Sequence, residues 1–244
     1  MPQVLEGKLA VVTGATSGIG AALTRRLASD GATVIALGRR GDALAAEAAR
    51  AEGRVIAVCG DLGDPRGRAS VVSEIERHAP RIDVLVNNAG QAAYASPLEL
   101  GTTGWRALFE INLHAAIELA VALAPRIPPG GHLINVSSVT ARFAPNARFA
   151  GYAATKAALD RATEALRLEL DPLGIAVTQL APGLVDTPLY DKVAGFSATR
   201  DKIAKQVPRW LSPSDIADTI VWVLTRPPHV VIAELVVLPM GQGR

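Results

Sequence analysis

Cysteine is almost absent: Cys59 stands alone, so no intrachain disulfide can form and a reducing compartment is expected. It closes the apolar run Val55 to Cys59, where a buried core thiol is expected. Aromatic residues are also scarce, at 4%, so the interior must be built from Ala, Val, Leu and Gly, a mixture that suits helices packed closely on a parallel sheet. Long hydrophobic runs are missing: no stretch approaches the roughly 18 uninterrupted apolar residues of a membrane span. Met1 to Lys8 lacks the basic-then-apolar order of a secretory leader, and a cytoplasmic protein is expected. Neither sign of charge dominates, with 25 Lys and Arg against 23 Asp and Glu and a net charge of +2, which argues against nucleic acid or a membrane surface as partner. The four histidines, His78, His114, His132 and His229, are far apart without ligand spacing, and no metal is expected.

What is present is an alternation. Short β-rich runs at Leu9–Thr13, Thr33–Leu37, Val55–Cys59, Val84–Val86, His132–Val136, Ile175–Leu180 and Glu234–Leu238 are separated by helical patterns. The clearest of these are Gly18–Ser29, Ala43–Glu52, Arg66–His78, Thr103–Leu123 and Tyr152–Leu170. Such an order predicts an α/β fold: a doubly wound, Rossmann-type sandwich with a seven-stranded parallel sheet and helices on both faces. No interdomain linker interrupts the 244 residues, so a single domain over 1–244 is expected. Asp171-Pro172-Leu173-Gly174 reads as a helix end with a left-handed exit. Val185 to Gln206, with Pro188, Gly195 and weak periodicity, reads as a substrate-covering lid. The long helices are rich in Ala and Leu on more than one face, which points to subunit contacts and a homo-oligomer, a dimer or tetramer.

Thr13-Gly14-Ala15-Thr16-Ser17-Gly18-Ile19-Gly20 lies directly between the first strand and first helix. Glycines there let the backbone turn and approach a pyrophosphate, while the helix N-terminus offers unpaired N–H groups. An NAD site normally places a carboxylate about 20 residues downstream for the ribose 2′-OH, but here Leu37-Gly38-Arg39-Arg40 supplies two guanidinium groups suited to a 2′-phosphate. NADP(H) is therefore expected over NAD(H), the alternative being a solvated arginine pair at a strand end. Asp61 and Leu62 follow the third strand, where Asp61 is suited to accept a hydrogen bond from the adenine amino group or to serve as a loop cap.

Tyr152 and Lys156 are one helical turn apart, on one face. Proton exchange by a phenol near neutral pH requires its pKa to drop by about 2 to 3 units, and an adjacent ammonium supplies the field. Asn135-Val136-Ser137-Ser138 ends the fifth strand at the edge where such sheets bind ligands; a Ser138 hydroxyl there can polarise a substrate oxygen, whereas Ser137 reads better as a cap. Trp105, Trp210 and Trp222 read as helix-packing residues.

Taken in order, the glycine motif, Asn87-Asn88-Ala89-Gly90, Asn112, Ser138, Tyr152, Lys156 and Pro182-Gly183 with Thr187 resemble the short-chain dehydrogenases/reductases. The resemblance implies Tyr152 as general acid/base, Ser138 orienting the reacting oxygen and Lys156 binding the nicotinamide ribose. It implies that Asn112 holds a water in the proton relay. It places Asn88, Ala89 and Gly90 beside the adenosine ribose, and Pro182, Gly183, Val185 and Thr187 at the nicotinamide. One difference from the family pattern is an extra residue between Ser138 and Tyr152. A weaker resemblance, through Thr225 to His229 and Glu234 to Pro239, is to NADP-dependent serine and 3-hydroxy acid dehydrogenases, although Ala233 and Leu238 depart from that pattern. The expected activity is carbonyl reduction and its reverse on a small-molecule substrate. The alternatives are a 3-oxoacyl-carrier-protein reductase, with Arg142, Arg148, Arg200 and Arg209 as a carrier-binding patch, or a non-catalytic NADP(H)-binding protein.

Overall fold

Side chains in a strand point alternately to its two faces, so a strand covered on both sides must be apolar throughout. The computed structural model, which describes residues 4–51, 53–142, 146–189, 191, 193 and 195–242, shows this pattern. Strands β1 (Leu9–Thr13), β2 (Thr33–Gly38), β3 (Val55–Cys59), β4 (Val84–Asn87), β5 (His132–Val136), β6 (Ala176–Pro182) and β7 (Glu234–Val237) form one seven-stranded sheet in the order β3-β2-β1-β4-β5-β6-β7. Every pairing is parallel. The chain reverses direction across the sheet between β3 and β4, so the C-terminal ends of β1 and β4 flank a crevice.

Among the described residues, eight α-helices supply crossovers and cover both faces: α1 (Gly18–Ser29), α2 (Gly41–Arg50), α3 (Pro65–His78), α4 (Pro97–Phe109), α5 (Ala115–Leu123), α6 (Ala150–Leu170), α7 (Ser197–Gln206) and α8 (Pro213–Leu224). On one face Val12, Val34, Val86 and Ile134 pack with Leu23 and Leu27 of α1 and Ile216 and Ile220 of α8. On the other, Val11, Ile35, Leu85 and Leu133 pack with Val71 and Ile75 of α3, Leu119 and Leu123 of α5 and Leu170 of α6. Adjacent residues such as Val11 and Val12 thus serve opposite cores.

The expected helix over Thr103–Leu123 is longer and interrupted. It starts at Pro97 behind a Ser96–Glu99 capping box, leaves helical geometry at Gly101 (φ 60°) and passes through a π-turn at Glu110–His114 before α5. Among the described residues, the stretch Pro97–Arg126 has the length and mean hydropathy, 1.6, of a membrane-crossing helix. Here it lies against the sheet, with Ile111, Leu119 and Leu123 in the core. Helix α8 went unexpected, although Ser212-Pro213-Ser214-Asp215 carries a capping-box signature that the structure uses. Gly174 leaves α6 with φ 70°, as the sequence implies.

Two expectations are corrected. Cys59 is exposed, because β3 is an edge strand; its thiol reaches only the Arg39 carbonyl, 3.5 Å away. Trp222 lies on the surface with the Arg226 guanidinium over its ring, 4.5 Å from the centroid, rather than between helices. Of the lid segment, positions 190, 192 and 194 lie outside the described residues, as do 143–145 of the stretch between Ser138 and Tyr152. The rest of that segment includes α7, anchored by the buried Phe196, whose ring meets Tyr94 and Phe149 edge-on at 5.5 and 5.6 Å.

Candidate active site

A cleft of about 770 Å³ opens along the C-terminal ends of the strands, a size typical of small-molecule sites. Its floor depends on close backbone approach. Thr13 Oγ1 accepts the N–H groups of Asn88 (2.9 Å) and Ala89 (2.8 Å), and Asn88 Nδ2 donates to the Thr13 carbonyl (2.8 Å), which pins the β4 exit onto β1. Gly14 has φ 69°, and a Cβ there would sit 2.9 Å from Asn88 Nδ2 and 3.0 Å from Ala89 Cα, so any side chain would be strained and crowd the β4 exit. Gly18 opens α1; Ser17 makes no side-chain cap, leaving the first-turn N–H groups directed at the cleft. Gly14, Thr16, Ser17, Gly18 and Ile19 all line it. Gly20 does not: a Cβ there would fall 2.3 Å from the Gly14 carbonyl oxygen, so this glycine permits helix-to-turn packing and makes no wall.

Arg39, Arg40, Asp61 and Leu62 border one end of the cleft. Arg40 donates to the Thr16 carbonyl at 2.6 Å, wrapping the glycine turn. Arg39 stands 3.8 Å from Asp61, whose other oxygen accepts from Gly63 N–H at 2.9 Å. Asn88, Ala89, Gly90, Pro182, Gly183, Val185 and Thr187 also line the cleft. A glycine cradle, an uncapped helix N-terminus and a pair of arginines match the chemistry of a phosphorylated dinucleotide.

Ser138, Tyr152 and Lys156 line the same cleft. Lys156 is only 3% exposed and donates to the Val136 carbonyl at 2.8 Å; burial pushes its pKa down to about 8, opposed by the Asp160 carboxylate. Its ammonium is 5.9 Å from the centre of the Tyr152 ring. Ser138 Oγ accepts from Thr140 N–H (3.2 Å) and Thr140 Oγ1 (2.9 Å). Buried hydrogen bonds set the position of α6 on the sheet. Ser137 Oγ donates to Asp160, Asn135 Nδ2 donates to Thr163 Oγ1 (2.8 Å), and Asn87 Nδ2 donates to Asn135 Oδ1 (2.9 Å).

Asn112 sits behind the cleft wall, beside Gly90. The π-turn carries it inward to 1% exposure, where Oδ1 accepts Gln91 N–H (2.8 Å) and Nδ2 donates to the Gln91 carbonyl (2.9 Å) and Thr155 Oγ1 (3.0 Å). Its side chain does not line the cleft and is spent on fixing the loop after Gly90. The sequence reading missed Gln91, Ala92, Ile111, Pro188 and Leu189 as lining residues. None carries a motif, since loop position alone brings them there. The arginines proposed as a carrier-binding patch are neutralised in three of four cases: Arg142 by Glu234, Arg148 by Glu99 at 3.1 Å, and Arg200 by Asp186 at 3.0 Å and Asp191 at 2.6 Å.

Fold and cleft together define a doubly wound dinucleotide-binding protein with a hydroxyl, a phenol and an ammonium on one wall. The family model of the short chain dehydrogenases matches residues 8–196. A curated relative, an uncharacterized oxidoreductase of Staphylococcus epidermidis, is 32% identical over 235 residues, covering 96% of this chain and 97% of its own. A short chain dehydrogenase from Burkholderia cenocepacia, solved in complex with NADP, is 31% identical, with a TM-score of 0.86 over 96% of this chain and 97% of that one. L-sorbose reductase from Gluconobacter frateurii, complexed with NADPH and L-sorbose, is 29% identical, with a TM-score of 0.89 over the full length of both chains. The chain belongs to the short-chain dehydrogenase/reductase family and is an oxidoreductase of that family.

Proposed function

We propose that this protein interconverts a ketone or aldehyde and the corresponding alcohol, using NADP(H), with Tyr152 as the general acid/base. The observation that carries the reading is that Ser138, Tyr152 and Lys156 line the same cleft as the glycine cradle and Arg39 and Arg40. When bound there, the nicotinamide supplies or removes a hydride. In reduction the carbonyl carbon gains that hydride, and the C–O π pair moves onto oxygen. Tyr152 then gives its proton to that oxygen and becomes phenolate, while Ser138 donates a hydrogen bond to the same atom. Lys156 lowers the cost of the phenolate through its charge. Arg39 and Arg40 would hold the 2′-phosphate through charge-assisted hydrogen bonds. The NADP complexes of the Burkholderia and Gluconobacter proteins favour the same cofactor. A homo-oligomer, formed through the exposed Val121 of α5 and Leu168 of α6, is part of the proposal.

The test is a panel of ketones, aldehydes and 3-oxo esters assayed with NADPH and NADH in parallel. Turnover with NADPH is expected, and Tyr152→Phe should lower kcat by about 10²-fold or more. Replacing Arg39 and Arg40 by Ala should raise the Kd for NADPH about 10- to 100-fold and leave that for NADH nearly unchanged. Full activity in Tyr152→Phe overturns the mechanism.

A further inference from the structure

A hydroxyl group has one proton to donate and two lone pairs with which to accept. At Ser138 both lone pairs are occupied from one side. The backbone N–H of Thr140 reaches Oγ at 3.2 Å, and the Thr140 hydroxyl at 2.9 Å. The geometry is locked locally: Ser138 caps a single 3-10 turn, Val139–Ala141, and Ala141 N–H donates to the Ser138 carbonyl at 3.0 Å. Ser138 lines the cleft and Thr140 does not, so Thr140 acts on the oxygen from behind and leaves only the O–H to face a substrate.

We infer that Thr140 is a positioning residue that turns the Ser138 hydroxyl into an obligate hydrogen-bond donor, selecting substrates whose reacting atom carries free lone pairs. A carbonyl oxygen, and the alcohol oxygen formed from it, can accept that hydrogen bond while exchanging a proton with Tyr152. A protonated imine cannot, because its nitrogen has a proton to offer and no lone pair, and Ser138 has no acceptor left to receive it. The site therefore takes C=O and excludes C=NH⁺ groups. This rests on the carbonyl-reductase reading above and extends it to the atom that is recognised.

The test uses the full-length enzyme with NADPH, a ketone turned over in the panel and the cyclic imine 2-methyl-1-pyrroline, assayed below the pKa of its conjugate acid so that it is present as C=NH⁺. Thr140→Val removes the hydroxyl and keeps the branched shape. It should lower kcat for the ketone about three- to tenfold, the effect of losing one hydrogen bond, with the melting temperature and the NADPH Kd unchanged. Thr140→Ala should do the same, providing a second variant should valine disturb folding, and Thr140→Ser should keep the wild-type rate. In a Ser138→Ala background, Thr140→Val should cause no further loss, because its effect passes through the Ser138 hydroxyl. The wild type should leave the imine unreduced. The inference is overturned if Thr140→Val and Thr140→Ala match the wild type, if the two losses are additive, or if the wild type reduces the imine as fast as the ketone. A wild type active on no carbonyl compound sinks the parent reading and this inference together, whereas active wild type with unaffected Thr140 variants sinks the inference alone.

Discussion

In the proposed reaction the residue-scale question is how Lys156 keeps its charge in a buried position. Burial lowers its pKa to about 8, and Asp160, one turn further along α6, is the group that opposes this. Burial raises the Asp160 pKa in turn, while the Ser137 hydroxyl, Lys156, Arg142 and Arg161 restrain the rise. Substituting Asp160 by Asn removes the opposing carboxylate, so Lys156 must lose its proton at lower pH than in the wild type. Less positive charge then faces Tyr152 at any given pH, the phenolate becomes harder to form, and the phenol pKa rises. The acid limb of kcat/KM for alcohol oxidation, which reports formation of that phenolate, is expected to move to higher pH. A pH–rate comparison of the two proteins checks this; an unmoved limb, or one displaced to lower pH, contradicts it.

Contacts between elements explain how loops with little motif content are placed. Arg68 of α3, only 3% exposed, donates to Glu118 of α5 at 2.6 Å, to Glu110 of the π-turn at 2.9 Å and to the Leu62 carbonyl at 3.0 Å. It thus ties the strand end beside the cleft to the turn that carries Asn112. Arg68→Ala is expected to destabilise the fold by about 2 to 3 kcal/mol and to weaken NADPH binding. Chemical denaturation and cofactor titration read the two effects. At the start of β5, His132 shares a 2.7 Å hydrogen bond with Thr178, and burial lowers its pKa to about 4. The unfolded chain therefore takes up this proton first as pH falls through about 6.5. Stability present above that pH should be lost progressively toward pH 4, seen as a falling denaturation midpoint, and His132→Gln should flatten the slope.

On the scale of the whole molecule, most of the architecture was legible. Seven β-rich runs matched seven strands, because strands buried on both faces must be apolar throughout, and parallel order follows from helical crossovers between them. Less legible was the surface. Val121 and Leu168 are 64% and 76% exposed, on helices whose other faces are in the core. An oligomer would cover them, so light scattering should return a multiple of the chain mass, and Val121→Glu combined with Leu168→Glu should shift it to a smaller species. An unchanged mass in the double variant would remove these helices from the interface.

Local spacing was sufficient to single out the glycine turn at Gly14 and Gly18, the Arg39–Arg40 pair, and Tyr152 with Lys156 one turn later, since each depends on backbone geometry within a few residues. Contacts made across the chain were beyond it. Cys59 is exposed because β3 ends up at the edge of the sheet, which only the strand order decides. The hydrogen bonds of Asn112 to Gln91 and the packing of Gly20 against the Gly14 carbonyl depend on segments that meet only in the fold. Periodicity tells which residues share a face; what that face meets is determined only when distant segments pack together.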